Sequence, residues 1–118
     1  SYMSNVIIHH NPRSSKSRET LALLEENGIS PEIRLYLDNP LGKKELQQVL
    51  AQLGITAREL IRKSEDAYKE QNLKNPELSE DELIAAMVAT PKLMQRPIVV
   101  ANGKAALGRP PEQVLEIV

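Results

Sequence analysis

Asn5-Val6-Ile7-Ile8-His9 is a short, β-branched apolar run. Such a run reads as a buried strand when a breaker bounds it, and Pro12 ends this one. From about Ser15 to Asn27 the period changes. Leu21, Leu24 and the methyl of Thr20 recur at three-to-four spacing, with Arg18, Glu19, Glu25 and Glu26 largely outside. That is the pattern of an amphipathic helix. Asn27-Gly28 stops it, because glycine enters the left-handed conformation cheaply, and Pro31 follows. Polar and apolar positions then alternate from Glu32 to Leu37. Ile33, Leu35 and Leu37 predict the apolar side of a half-buried strand, broken by Asp38-Asn39-Pro40.

Gly42 to Leu53 returns to helical spacing, with Leu46, Val49, Leu50 and Leu53 on one face and Gly54 at the end. Thr56 followed by Glu59 is a capping box, which predicts a short helix through Leu60, Ile61 and Arg62. A further short helix is expected from Ser64 around Tyr68. Ser79 with Glu82 is a second capping box, opening a helix through Leu83, Ile84, Met87 and Val88 that Thr90-Pro91 closes. Pro97-Ile98-Val99-Val100-Ala101 is the second β-branched run. Asn102-Gly103 is a strong two-residue hairpin signal, so Lys104 to Leu107 is the returning strand. Pro110-Pro111 opens a last helix, Glu112 to Val118. No repeat, low-complexity tract or linker interrupts the chain.

The order is strand, helix, strand, several helices, hairpin, helix. It predicts an α/β fold with a four-stranded mixed sheet. The first strand-helix-strand unit should be a right-handed crossover with parallel strands. A βαβ unit joined to a ββα unit is the thioredoxin-like arrangement, with residues 42–90 as a helical insertion.

The length, 118 residues, suits a single domain spanning 1–118. Fifteen Lys and Arg against sixteen Asp and Glu leave a formal charge of −1. That balance argues against a dedicated nucleic-acid or anionic-membrane binder, which needs a basic face. With no Phe, no Trp and three Tyr, the core must be aliphatic and stacking on bases is nearly ruled out. The chain has no cysteine, which removes disulfides, thiolate zinc sites and thiol catalysis from the sequence as written. No segment approaches the roughly 18 apolar residues of a membrane span. No secretory signal opens the chain, so a cytoplasmic location is expected. Ser1-Tyr2 ahead of Met3 reads as a cloning remnant.

Chemistry concentrates in the turn after the first strand, His10-Asn11-Pro12-Arg13-Ser14-Ser15-Lys16-Ser17-Arg18. It leads from a strand's carboxyl end into a helix N-terminus, where free N–H groups and the helix dipole favour an anion. The serines add hydroxyl donors, and Arg13, Lys16 and Arg18 add charge. The same residues also describe an ordinary capped loop whose serines satisfy backbone donors. Arg62, Arg96 and Arg109 each sit at an element end, where a loop can aim a planar guanidinium at a tetrahedral oxyanion. Taken alone, they read first as three solvated or ion-paired arginines, with sixteen acids available to pair them. Pro97 reads as a trans edge proline or a cis one. His9 and His10 have neither cysteine nor a carboxylate in the turn to complete a metal site. Alternation puts one imidazole into the sheet face and leaves the other to bond the turn.

This turn resembles the active-site loop of the glutaredoxin-dependent arsenate reductase family, His-Asn-Pro-x-Cys-x-x-Ser-Arg. Leu60-Ile61-Arg62, Arg96-Pro97-Ile98-Val99-Val100 and Arg109-Pro110 also match that family in order and spacing. The likeness covers about residues 5–118 and is strongest to a short subgroup of arsenate reductase-like proteins. It implies a thioredoxin-like fold and reduction of arsenate to arsenite, with glutathione as co-substrate, glutaredoxin as partner and no tightly bound cofactor. It implies that Arg62, Arg96 and Arg109 hold the oxyanion. It further implies that Ser17 and His10 serve the nucleophile and that Pro97 is cis.

The departure from the pattern is Ser14, which stands at the family's cysteine. A hydroxyl stays protonated near neutrality without a base and undergoes no thiol exchange, so this chain is expected not to turn over. An engineered replacement, a natural loss of the nucleophile and a modified cysteine recorded as serine all account for it, and the three intact arginines favour the first and last. Two other functions compete: a thiol-disulfide or other oxyanion reductase on the same fold, and a redox transcription regulator of the same superfamily. The regulator relatives carry paired cysteines that this chain lacks.

Overall fold

A computed structural model describes residues 5–118; Ser1-Tyr2 lie outside them. The chain divides into two units. One comprises the described part of Ser1–Asn39 with Arg96–Val118, and the other is Pro40–Gln95.

The first unit is built on strands β1 (Ile7–His10), β2 (Glu32–Leu35), β3 (Ile98–Ala101) and β4 (Lys104–Leu107), in the order β2-β1-β3-β4. β1 and β2 are parallel, while β1 pairs antiparallel with β3 and β3 with β4. This is the mixed sheet and thioredoxin-like arrangement that the element order predicts. Asn102 and Gly103 both have positive φ, 55° and 75°, as the tight hairpin turn between β3 and β4 requires.

Helix α1 (Ser15–Glu26) packs on one face of the sheet beside a C-terminal 3₁₀ helix, Pro111–Glu116. Ile33, Ile8, Val99 and Ala106 are successive partners across the sheet and so share that face. Ile8 and Val99 join Val6, Leu24, Ala101 and Val114 in an aliphatic core, edged by Leu21, Ile29, Ala106 and Ile117. Leu24 is fully buried, and truncating such a leucine to alanine costs about 2–5 kcal/mol.

Two elements of this unit differ from expectation. Ile33, Leu35 and Leu37 are not half-buried: they are 47%, 39% and 41% exposed. Ile33 and Leu35 do lie on the helix-bearing face, but β2 is the sheet edge and the core cluster stops at β1. The strand ends at Leu35, short of the expected Leu37, and Tyr36 in the turn after it is the buried residue there. The last helix is 3₁₀ rather than α, with bonds from Gln113 N to Pro110 O and from Ile117 N to Val114 O. A six-residue segment has few i→i−4 bonds to gain, so the tighter i→i−3 winding competes well there.

The second unit contains α2 (Lys43–Leu53), α3 (Ala57–Leu60), α4 (Asp66–Glu70), α5 (Glu80–Ala89) and a 3₁₀ turn, Pro91–Leu93. α2 and α3 both pack on α5, and Leu46, Val49, Leu50, Leu60, Leu83, Ile84 and Met87 are buried. Both capping boxes form: Thr56 with Glu59, and Ser79 with Glu82. α3 ends at Leu60 instead of running through Arg62, because Ile61 is extended and bridges Met94. The bond from Arg62 N to Leu93 O, 2.6 Å, continues that bridge. α4 starts at Asp66, two residues after Ser64.

Candidate functional site

The turn from β1 into α1 is held by its own side chains. Asn11 Oδ1 accepts from Arg13 N at 3.0 Å, and Asn11 O accepts from Ser14 N at 3.0 Å. Arg18 Nη1 donates to Pro12 O at 2.8 Å and straps the loop from the helix side. Ser14 is the N-cap of α1: its backbone is extended and its Oγ accepts from Ser17 N at 3.3 Å. Its buried side chain therefore sits where the first-turn N–H groups point.

Ser17 is fully buried and joins the strand to the helix. Its Oγ accepts from Asn11 N at 3.0 Å and lies 2.6 Å from His10 Nδ1. Burial, reinforced by the charge of Arg18, lowers the His10 pKa below its ordinary 6.5, so the neutral ring is favoured near neutrality. A neutral imidazole protonated on Nε2 accepts from Ser17 O–H; the other tautomer donates to it. His9, of opposite parity, is buried on the other sheet face.

The electrostatics of this helix end are one-sided. α2, α3, α4 and α5 each carry an acidic residue in the first turn, which offsets the positive end of the dipole. α1 carries none. Lys16 and Arg18 lie in that turn, with Arg13 just before it. The net field favours an anion at the N-cap.

A second loop from the same unit lies along α1. Arg96-Pro97 and Arg109-Pro110 are both cis peptides. The first agrees with what the family resemblance implies, and the second was not anticipated. Gly108 N donates to Pro97 O at 3.0 Å, and Arg109 Nε donates to Arg96 O at 3.0 Å. The two arginine-bearing segments are thereby tied together. Gly108 makes this possible: a Cβ there would meet Thr20 Oγ1 at 2.3 Å and Pro97 Cγ at 2.7 Å. Thr20 is one turn beyond Ser17 on the buried side of α1, and its Oγ1 donates to Lys16 O at 2.8 Å. Arg96 is half-buried and Arg109 is exposed.

Arg62 belongs to the other unit, where its guanidinium pairs with Glu65 Oε2 at 2.5 Å and its backbone is fixed by the Leu93 bond. Among the described residues, no three of His, Cys, Asp and Glu cluster as metal ligands. No helix there is long and apolar enough to cross a membrane.

Reading the motifs gave Arg18 only a charge, Asn11 only a place in the turn and Gly108 no role. Asn11 shapes the turn, Arg18 straps it, and Gly108 admits Pro97 and Thr20 to close approach. An isolated glycine at the end of a strand was a usable signal for the last of these.

Comparison with known proteins follows the same lines. The model of the ArsC family matches residues 9–117. An uncharacterized protein, YfgD, from Escherichia coli K12 is 64% identical over 114 residues, covering 96% of both chains. An arsenate reductase from Haemophilus influenzae is 51% identical over 114 residues, covering 96% of this chain and 98% of its own. The solved structure of an arsenate reductase from Vibrio cholerae superposes with a TM-score of 0.96 at 52% identity, covering 99% of this chain and 100% of the other.

Proposed function

This chain belongs to the ArsC family, and from that premise we propose that it is an arsenate reductase scaffold with serine at the nucleophile position. The observation that carries the reading is Ser14 itself. It is a buried N-cap, 3.3 Å from Ser17 N, at the one α-helix among the described residues with no acid in its first turn. A thiolate in that place has its anionic form stabilised by N–H groups, by the dipole and by nearby cations. In the cysteine form, that thiolate attacks arsenic(V). Glutathione supplies the second thiol: arsenic gains two electrons, the two sulfurs are joined as a mixed disulfide, and one oxygen leaves as water. Glutaredoxin then reduces the disulfide.

Arg96 and Arg109, whose segments are tied by the bond from Arg109 Nε to Arg96 O, bind the oxyanion. The Ser17–His10 pair supports the nucleophile through its 2.6 Å hydrogen bond. Ser14 as it stands accepts from Ser17 N, but its hydroxyl stays protonated near neutrality without a base to take the proton. The chain therefore holds the oxyanion without reducing it.

The test is Ser14→Cys, supplied with arsenate, glutathione and glutaredoxin, with arsenite as the readout. Arsenite should form with the variant and not with the parent. Absence of arsenite from a folded variant that still reduces glutathione mixed disulfides would replace this reading with a thiol-disulfide reductase on the same fold.

A further inference from the structure

β2 is an open edge of the sheet, and its outward backbone groups follow a definite pattern. Glu32 N donates to Val6 O at 2.8 Å. Across a planar trans peptide the C=O points opposite to the N–H, so Pro31 O faces away from β1. Alternate residues of a parallel ladder face the neighbouring strand. Arg34 therefore faces β1 as Glu32 does, while Ile33 and Leu35 turn their backbone groups outward. Leu35 O is already occupied: it accepts from Asp38 N at 3.0 Å and from Asn39 N at 2.9 Å in the turn that follows. Pro31 has no N–H. The edge thus offers Pro31 O, Ile33 N and O, and Leu35 N.

That set is self-complementary. Laid antiparallel on a second copy about Ile33, the two Ile33 residues exchange both of their bonds. Leu35 N of each copy meets Pro31 O of the other. The donor that proline lacks is the one that Leu35 O does not need. The charges select the same register, because Glu32 of each copy then lies opposite Arg34 of the other. Moving the centre of pairing by one residue sets Glu32 against Glu32 or Arg34 against Arg34, and like charges directly opposite are destabilising. Arg34 Nε donates to Asn39 O at 3.1 Å, which holds the guanidinium at the edge. The apolar side chains agree as well. Ile33 and Leu35 are 47% and 39% exposed on the α1-bearing face. A two-fold axis normal to the sheet keeps that face on one side, so the two Ile33 side chains cover each other and Leu35 lies against Pro31 of the other copy.

We propose that β2 is a self-association edge, through which two copies of this chain pair antiparallel about Ile33 and join their four-stranded sheets into one. The assembly goes beyond the reaction proposed above and requires nothing of position 14. Pairing runs only from Pro31 to Leu35, since the chain turns at Tyr36. The contact therefore belongs to the small, reversible class.

Sedimentation velocity on the unaltered chain, from about 10 µM to about 1 mM, reads the association. The mass should rise from one chain to two across that range; a single-chain mass at the top of it overturns the proposal. Glu32→Arg and Arg34→Glu each turn both attractive pairs into repulsive ones, and each alone should raise the Kd about tenfold or more. Mixed in equal amounts, the two variants again place opposite charges across the edge and should associate as tightly as the parent. Association of either variant alone at the parent's Kd, or a mixture no tighter than its components, overturns the register and the proposal with it. Ile33→Pro keeps the test decisive should a charge variant fail to fold. It deletes the outward N–H and leaves the bonds to β1 in place, as a proline on an edge strand can. The folded variant should remain a single chain where the parent pairs, and pairing at the parent's Kd overturns the proposal.

Discussion

Replacing Ser17 with alanine tests the core of the site. Ser17 Oγ is the acceptor for Asn11 N at 3.0 Å and the partner of His10 Nδ1 at 2.6 Å. Asn11 and His10 are only 7% and 6% exposed, so bulk water reaches them poorly once the hydroxyl is gone. A stranded buried polar group costs about 1–3 kcal/mol. Two such groups, each retaining slight solvent contact, place the loss at about 2–4 kcal/mol. For a chain of this length, that lowers Tm by roughly 10 °C. Thermal melts by circular dichroism and urea titrations at pH 7.5 measure it, and a constant m-value shows that the denatured state is unchanged. Ser15→Ala is the control: Ser15 is exposed in the same loop and should shift stability by no more than about 0.5 kcal/mol. Should Ser17→Ala melt with its parent, the strand-to-helix hydroxyl bridge contributes nothing, and the argument that it organises the site fails.

Other outcomes follow from the same geometry. The folded-state pKa of His10 lies below its unfolded 6.5, so the unfolded chain takes up the proton first as pH falls. The stability contribution of His10 is full above pH 6.5 and is lost as pH drops through its folded pKa. Urea midpoints at pH 7.5, 6.5 and 5.5 should decline, and His10→Gln should flatten that decline. Gly108→Ala forces a Cβ to 2.3 Å from Thr20 Oγ1 and 2.7 Å from Pro97 Cγ, for a cost of about 1–3 kcal/mol. Adding Thr20→Ala should recover part of it, and strict additivity of the two losses would disprove the contact. Sulfate and arsenate should raise the Tm of the parent by mass action. Arg96→Ala and Arg109→Ala should each cut that rise by half or more; a full rise in both would disprove the pocket.

The amino-acid order was sufficient wherever the controlling contacts are local. Thr56 with Glu59 and Ser79 with Glu82 close their capping boxes across three residues. Asn102-Gly103 turns the hairpin with positive φ at both positions. Ser14 caps α1 through an N–H three residues on. Each depends on neighbours along the chain, so its spacing is its explanation. The matching motifs around Ser14, Arg62, Arg96 and Arg109 were legible for the same reason.

Exposure was not legible. The alternation of Ile33, Leu35 and Leu37 signals two faces but cannot say how far a helix from elsewhere covers one of them. β2 at the edge leaves Ile33 and Leu35 exposed, and Leu37 is exposed in the turn that follows it. Arg62 left its expected helix because Met94, distant in sequence, offered Ile61 a bridge. The Ser17–His10 bond and the Thr20–Gly108–Pro97 contact join residues that meet only after the sheet and α1 have packed. Spacing along the chain thus determined which elements form and which side chains can carry the chemistry. Packing decided which of those side chains are buried, which are paired and which lie at an open sheet edge, because burial and pairing are properties of neighbours in space.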